Sequence, residues 1–111
     1  MSSPILILTT AGSQTEAEAI AKALVTDQLA ACVNVYPITS VYRWQGEVNQ
    51  DAEWQLTIKT EAALFEAVAA RVRSLHSYDL PELIAVPITA AEPQYAEWLR
   101  QQVRPQLSDL A

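Results

Sequence analysis

The longest strand-like pattern in this sequence constrains its fold more than any other feature. From Ala31 to Trp44, β-branched and aromatic residues recur in alternation, and a second alternating run extends from Ala52 to Thr60. The turn region between them, QGEVNQD, contains Gly46. The second run places large apolar side chains such as Trp54 on one face and polar ones such as Lys59 on the other. Together the two runs predict a β-hairpin.

Two further apolar runs predict strands. The first, from Ile5 to Thr10, is continuous and typical of a central strand, and the second extends from Leu83 to Thr89. Proline cannot donate to a strand ladder, so Pro37 in the hairpin and Pro87 in the last run indicate edge strands or a bulge.

Three segments show the spacing of amphipathic helices. The first begins at a capping box formed by Ser13 and Glu16. Thr60 is the predicted cap of the second helix, which ends at Leu75. The third carries Pro93 at its first position and stops before Pro105.

This order, β-α-β-β-α-β with an extra C-terminal helix, predicts an α+β fold of the ferredoxin-like sandwich type. Right-handed crossovers place strands one and three in the centre and strands two and four at the edges, where both strand prolines are tolerated. Only two glycines and no linker or repeat occur. We therefore expect residues 1–111 to form a single domain with its core from about residue 5 to residue 104.

The length of the first hairpin strand predicts assembly. About 14 residues at roughly 3.3 Å each span about 45 Å, whereas a compact chain of this size is about 34 Å across. The projecting part carries Tyr42 and Trp44, which are costly to leave in water and typical of interfaces. We expect a neighbouring subunit to bury them, with Trp54 also at the interface. The alternative is a hairpin that curls back, so that its aromatic residues cap their own core.

Charge and hydropathy exclude some classes of partner. Seven Lys and Arg against thirteen Asp and Glu leave a formal charge of −6, so neither nucleic acid nor an anionic membrane is an expected partner. No apolar run is long enough to span a bilayer, and the N-terminus lacks a basic segment, which predicts a cytoplasmic protein. Cys32 is the only cysteine and lies in the apolar stretch LAACVNV. A lone thiol in an apolar stretch is most often a small buried hydrophobe.

The stretch SLHSYDLPEL contains His76, the only histidine. Imidazole is a common ligand of copper and zinc, and Glu82 and Cys32 are candidate metal ligands if the fold or a neighbouring subunit brings them close. A histidine in the last turn of a helix can instead bond a terminal carbonyl, and this structural interpretation is favoured by the residues alone. No P-loop, dinucleotide-binding, zinc-protease or nucleophile-elbow motif occurs, so we do not expect an enzyme.

Several stretches together resemble one family, the CutA divalent-cation tolerance proteins. They are LAACVNV, SVYRWQGEV, IKT, HSYDLPELI and YAEWL, in that order and spacing, and the resemblance extends from Ile5 to Val103. It implies a ferredoxin-like subunit in a tight homotrimer similar to the PII signalling proteins, with clefts between subunits. It also implies a role in tolerance to copper and other divalent cations.

For metal binding, the resemblance carries over only in part. Copper-binding members have a cysteine at the end of the first strand and adjacent histidines before the Tyr-x-x-Pro-Glu segment. Here Thr9 and Leu75 occupy two of those positions and His76 alone remains. The resemblance therefore implies a weak or inter-subunit site for Cu²⁺ or another divalent cation, with no cofactor required.

Three hypotheses follow for function. The first is a non-enzymatic cytosolic trimer for tolerance of divalent metal ions. The second is an inter-subunit cleft that binds a small anionic metabolite, in which the ligand would contact Lys59, Tyr78, Glu82, Thr10 and Ser13. A loop before the first helix offers free N–H groups for such an anion. The third, an enzyme with Glu82 or His76 as general base, lacks a recognisable constellation.

Overall fold

A computed structural model of the chain describes residues 3–105. The elements are β1 (Pro4–Ala11), α1 (Gln14–Thr26), β2 (Cys32–Trp44), β3 (Glu47–Glu61), a 3-10 turn (Ala62–Leu64), α2 (Phe65–Leu75), β4 (Ile84–Pro87) and α3 (Pro93–Gln102). The four strands form one antiparallel sheet in the order β2-β3-β1-β4. The predicted α+β class, with strands one and three in the centre, is confirmed.

The hairpin of β2 and β3 is longer and more regular than the sequence predicts. Its ladder continues from Cys32 opposite Lys59 to Trp44 opposite Glu47, and it passes Pro37 without an extra residue. Pro37 needs no bulge because β2 is an edge strand. The hairpin contributes to an elongated shape, 50 × 27 × 22 Å.

The predicted turn region is wrong in extent, because only Gln45 and Gly46 form the turn. Their φ angles are 52° and 81°, the left-handed pair that a two-residue type I′ turn requires. This turn matches the twist of the flanking strands, so pairing starts again at once and Glu47 to Asp51 belong to β3.

One face of the sheet carries the core, beneath α1 and α2. Fully buried residues come from the sheet and from both helices, among them Ile7, Leu56, Ile58, Leu24 and Val72. Each such side chain stabilises the fold by roughly 1.5–3 kcal/mol relative to exposure.

The opposite face of the sheet is only partly covered. Helix α3 packs there against β1 and β3 through the buried Leu99. Large apolar side chains remain 38–51% exposed in the subunit, namely Tyr36, Ile84, Val86, Tyr95 and Trp98. We call these five residues the open apolar face.

The first residues of the helices agree only in part with those predicted from the sequence. Ser13 accepts a hydrogen bond from the Glu16 amide at 3.2 Å, as expected. The predicted cap at Thr60 is wrong: Thr60 is buried and its hydroxyl donates to the Leu29 carbonyl oxygen at 2.6 Å. The chain leaves β3 through the 3-10 turn, so α2 begins later, at Phe65.

Candidate functional site

A cavity of about 600 Å³ lies between the hairpin and the segment that connects α2 to β4. The residues that line it come from β1, the hairpin and that segment, and they are Thr10, Ser40, Val41, Tyr42, Trp44, Glu53, Tyr78, Asp79, Leu80 and Glu82. Its volume is in the range of small-molecule sites. The hairpin aromatics do not cap their own core, since Tyr42 and Trp44 are 42% and 54% exposed.

Two tyrosines in the cavity wall are hydrogen-bonded to carboxylates of the hairpin. Tyr78 Oη donates to Glu53 Oε2 at 2.8 Å, and Tyr42 Oη donates to Asp51 Oδ2. Burial, together with the bond to Glu53, raises the pKa of Tyr78 to about 12. The bond to Asp51 raises the pKa of Tyr42. Both phenols therefore stay protonated at neutral pH and act as donors.

His76 terminates α2 and uses both of its ring nitrogens within the chain. Nε2 lies 2.6 Å from the Thr10 carbonyl oxygen, and Nδ1 lies 3.0 Å from the backbone nitrogen of Tyr78. A carbonyl can only accept and an amide N–H can only donate, so the proton is on Nε2. The ring also contacts that of Tyr78, with centroids 4.7 Å apart. The imidazole therefore holds Tyr78 in the cavity wall.

Glu16 connects the start of α1 to the segment between α2 and β4 through hydrogen bonds. Its carboxylate accepts from the Ser77 amide at 2.8 Å and from Ser77 Oγ at 3.1 Å. Partial burial alone would raise the pKa of Glu16, but the hydrogen bonds from Ser77 outweigh it and lower the pKa. The second half of the expected capping box is thus replaced by a tertiary contact.

The expected metal ligands are not all brought together within the subunit. Glu82 lines the cavity, where burial and the nearby Glu53 raise its pKa. In the sheet, Cys32 lies opposite Lys59 of β3. Thr10, whose carbonyl is bonded to His76, lies opposite Gln55 of β3. These two positions on β3 are four residues apart, about 13 Å, so Cys32 is distant from His76. Between residues 3 and 105, no three His, Cys, Asp or Glu side chains cluster as a metal site.

The expected ligand cleft corresponds to the cavity only in part. Thr10, Tyr78 and Glu82 line it, but Lys59 and Ser13 do not. Lys59 Nζ lies 3.5 Å from Tyr95 Oη, and Ser13 caps α1.

Among the predicted interface residues, Tyr42 and Trp44 line the cavity and Trp54 packs partly buried against the subunit core. The sequence reasoning missed Glu53 and Asp79 as cavity residues. Strand alternation placed Glu53 on the polar face of β3, but no spacing signal connected that face to the segment after α2.

Comparisons with known proteins agree with this architecture. Residues 5–102 match the family model described as CutA1 divalent ion tolerance protein. The chain is 47% identical over 97 residues to the divalent-cation tolerance protein CutA of Thermus thermophilus, covering 86% of this chain and 94% of the relative. It is 42% identical over 101 residues to the chloroplastic CutA of Arabidopsis thaliana, covering 90% of this chain but only 56% of that protein.

Solved structures extend the comparison to the fold. CutA1 from Oryza sativa superposes with a TM-score of 0.92 at 39% identity, covering 95% of this chain and 97% of that one. The Thermus thermophilus protein gives a TM-score of 0.89 at 45% identity, over 91% of this chain and 99% of that one. Within residues 3–105, we find no helix with the length and apolar character that a membrane crossing needs. The chain belongs to the CutA1 divalent ion tolerance protein family.

Proposed function

We propose that this protein is a non-enzymatic, cytoplasmic homotrimer that acts in tolerance to divalent metal ions. The observation that carries the proposal is the family match over residues 5–102, together with relatives named for divalent-cation tolerance. The formal charge of −6 supports it, because an acidic surface attracts cations.

The trimer is supported by surfaces that the subunit leaves uncovered. Strands β2 and β4 are both sheet edges, and an exposed edge offers unpaired backbone groups to another strand. Because the two edges differ, pairing one with the other on a neighbour is a head-to-tail contact, the kind that forms a ring when the rotation between subunits closes. The open apolar face supports the same assembly, and the strand order supports a ferredoxin-like, PII-like subunit.

Light scattering tests the trimer directly. We expect a mass near three times that of the 12.2 kDa chain. Substitution of Ile84 and Val86 by Asp should lower that mass, because charges would stand on the open apolar face. A wild-type mass equal to that of one chain would refute the homotrimer.

Metal binding is proposed to be weak, with His76 and Glu82 as ligands. A cation that binds the His76 imidazole at Nδ1 must first displace the Tyr78 amide, which lowers affinity. Calorimetric titration of Cu²⁺ into the wild type, His76→Ala and Glu82→Gln tests the two ligands. Both variants should bind more weakly, while Glu66→Gln, on the exposed start of α2, should match the wild type. If His76→Ala binds Cu²⁺ as tightly as the wild type, His76 is not a metal ligand.

The physiological role can be tested by growth in excess copper. Cells that lack this protein should grow more poorly than cells that express it, and the open-face variant should not rescue them. The small anionic metabolite expected as an alternative ligand is less well supported, because Lys59 lies outside the cavity and carboxylates line it.

A further inference from the structure

The cavity beside the hairpin is lined by carboxylates, as a cation site is, but it has the volume of a site for a small organic molecule. Glu53, Asp79 and Glu82 all line it, and its lining includes no Lys, Arg or His. Its volume of about 600 Å³ far exceeds that of a metal ion, and small organic ligands occupy cavities of roughly 300–1,000 Å³. Among residues 3–105, no three carboxylate, histidine or cysteine side chains lie close enough together to hold a bare metal ion.

Within the described part of the chain, the carboxylates in this wall form no ion pair with a Lys or Arg side chain. Glu53, Asp79 and Glu82 share this wall, and like charges in a partly desolvated site repel one another. One oxygen of Glu53 accepts from Tyr78, which positions that carboxylate without neutralising it. A ligand cation would relieve this repulsion, whereas an anion would increase it.

Three aromatic side chains complete the wall: Tyr42, Trp44 and Tyr78. Aromatic rings attract cations through their quadrupoles, and cages of aromatic rings are a recurrent means of binding alkylated ammonium groups. Here both phenols are already held by hairpin carboxylates, and His76 fixes the backbone of Tyr78. The rings are therefore positioned before a ligand arrives, which lowers the entropy cost of binding.

We propose that this cavity binds a small organic cation, with an alkylated ammonium group between the aromatic rings and the carboxylates of Glu53 and Glu82. The proposal goes beyond metal tolerance and does not depend on it. The ligand is recognised by its diffuse positive charge, which a divalent metal ion does not reproduce.

Choline and its neutral isostere 3,3-dimethylbutan-1-ol test the proposal, because they share a shape and differ in charge. With the assembled wild-type protein, we expect saturable choline binding by calorimetry and by quenching of tryptophan fluorescence. The neutral isostere should bind about tenfold or more weakly. Equal affinity for the two, or no saturable choline binding, would overturn the proposal.

Variants localise the site. Glu82→Gln and Tyr78→Leu should each weaken choline binding by about three- to tenfold. Glu66→Gln, which is not among the lining residues, should bind like the wild type. Unchanged binding by both cavity variants would refute the location, and light scattering should show that each keeps the wild-type mass. If the wild-type protein binds choline but not Cu²⁺, the metal proposal alone is refuted.

Discussion

Nε2 of His76 donates a hydrogen bond to the Thr10 carbonyl oxygen at 2.6 Å, and so joins the end of β1 to the segment that follows α2. On the other side of the ring, Nδ1 accepts from the Tyr78 amide at 3.0 Å. The only histidine is therefore a connector between two parts of the cavity wall. Any binding of metal by this ring competes with that role.

His76→Ala should lower the free energy of unfolding by about 1–3 kcal/mol, because it leaves the Thr10 carbonyl and the Tyr78 amide without their partner. Urea unfolding at equal subunit concentration measures the change. Arg73→Ala, an exposed substitution on the same helix, should stay within about 0.5 kcal/mol of the wild type. A His76→Ala variant as stable as this control would contradict the connector role.

Glu16→Gln should lower stability at neutral pH, and the loss should disappear in acid. The pKa of Glu16 is lowered from its usual 4.5 in the folded protein. A carboxyl with a lowered folded pKa contributes stability above its unfolded value, and this is lost as pH falls through the folded one. Unfolding curves of the variant and wild type should therefore differ at pH 7 and converge as the pH falls below 4.5 and through the lowered folded pKa.

Glu18→Gln is the control for this pH dependence, since Glu18 lies on the same helix and its carboxylate accepts a hydrogen bond from the nearby Gln14 side chain at 2.9 Å. Its stability difference from the wild type should be small across the same pH range. If the difference in the free energy of unfolding between Glu16→Gln and wild type widens in acid, the predicted direction of the pH dependence is wrong.

Thr9→Val should raise stability by about 1 kcal/mol. Thr9 is fully buried on the core face of β1, and its hydroxyl has no hydrogen-bond partner within the described chain. Valine keeps the shape and removes the unsatisfied hydroxyl, whereas Thr9→Ser keeps the hydroxyl and removes a buried methyl group. Thermal unfolding should rank the proteins with Val above wild type and wild type above Ser. A destabilised Thr9→Val would indicate a bonded hydroxyl.

Gln45→Asn should stabilise the hairpin by a few tenths to about 1 kcal/mol, since Asn tolerates the left-handed backbone better than Gln. Gln45 has a φ of 52° in the turn. Gly46→Ala, with φ at 81°, should have the opposite effect and cost about 1–2 kcal/mol. Urea unfolding of both variants measures the two changes. The same sign of change for both would argue against the type I′ turn.

Alternation and helical spacing predicted most of the fold. They placed all four strands and three helices, and they identified β2 and β4 as edges through Pro37 and Pro87. The boundaries were less accurate, because the type I′ turn at Gln45 and Gly46 depends on backbone angles that composition only suggests. Thr60 resembled a helix cap in sequence, but its hydroxyl bonds to Leu29, a residue far away along the chain.

The sequence by itself determined the order of the strands and helices, the family and the uneven charge of the chain, since periodicity, motif spacing and residue counts are local properties. Only the tertiary structure decided which side chains share the cavity. It brought Glu53 of the hairpin to Tyr78 after α2, and it left Lys59 beside Tyr95. The physical reason is that the sheet register sets which residues meet across strands. That register is fixed by burial of the whole core face and not by any single motif.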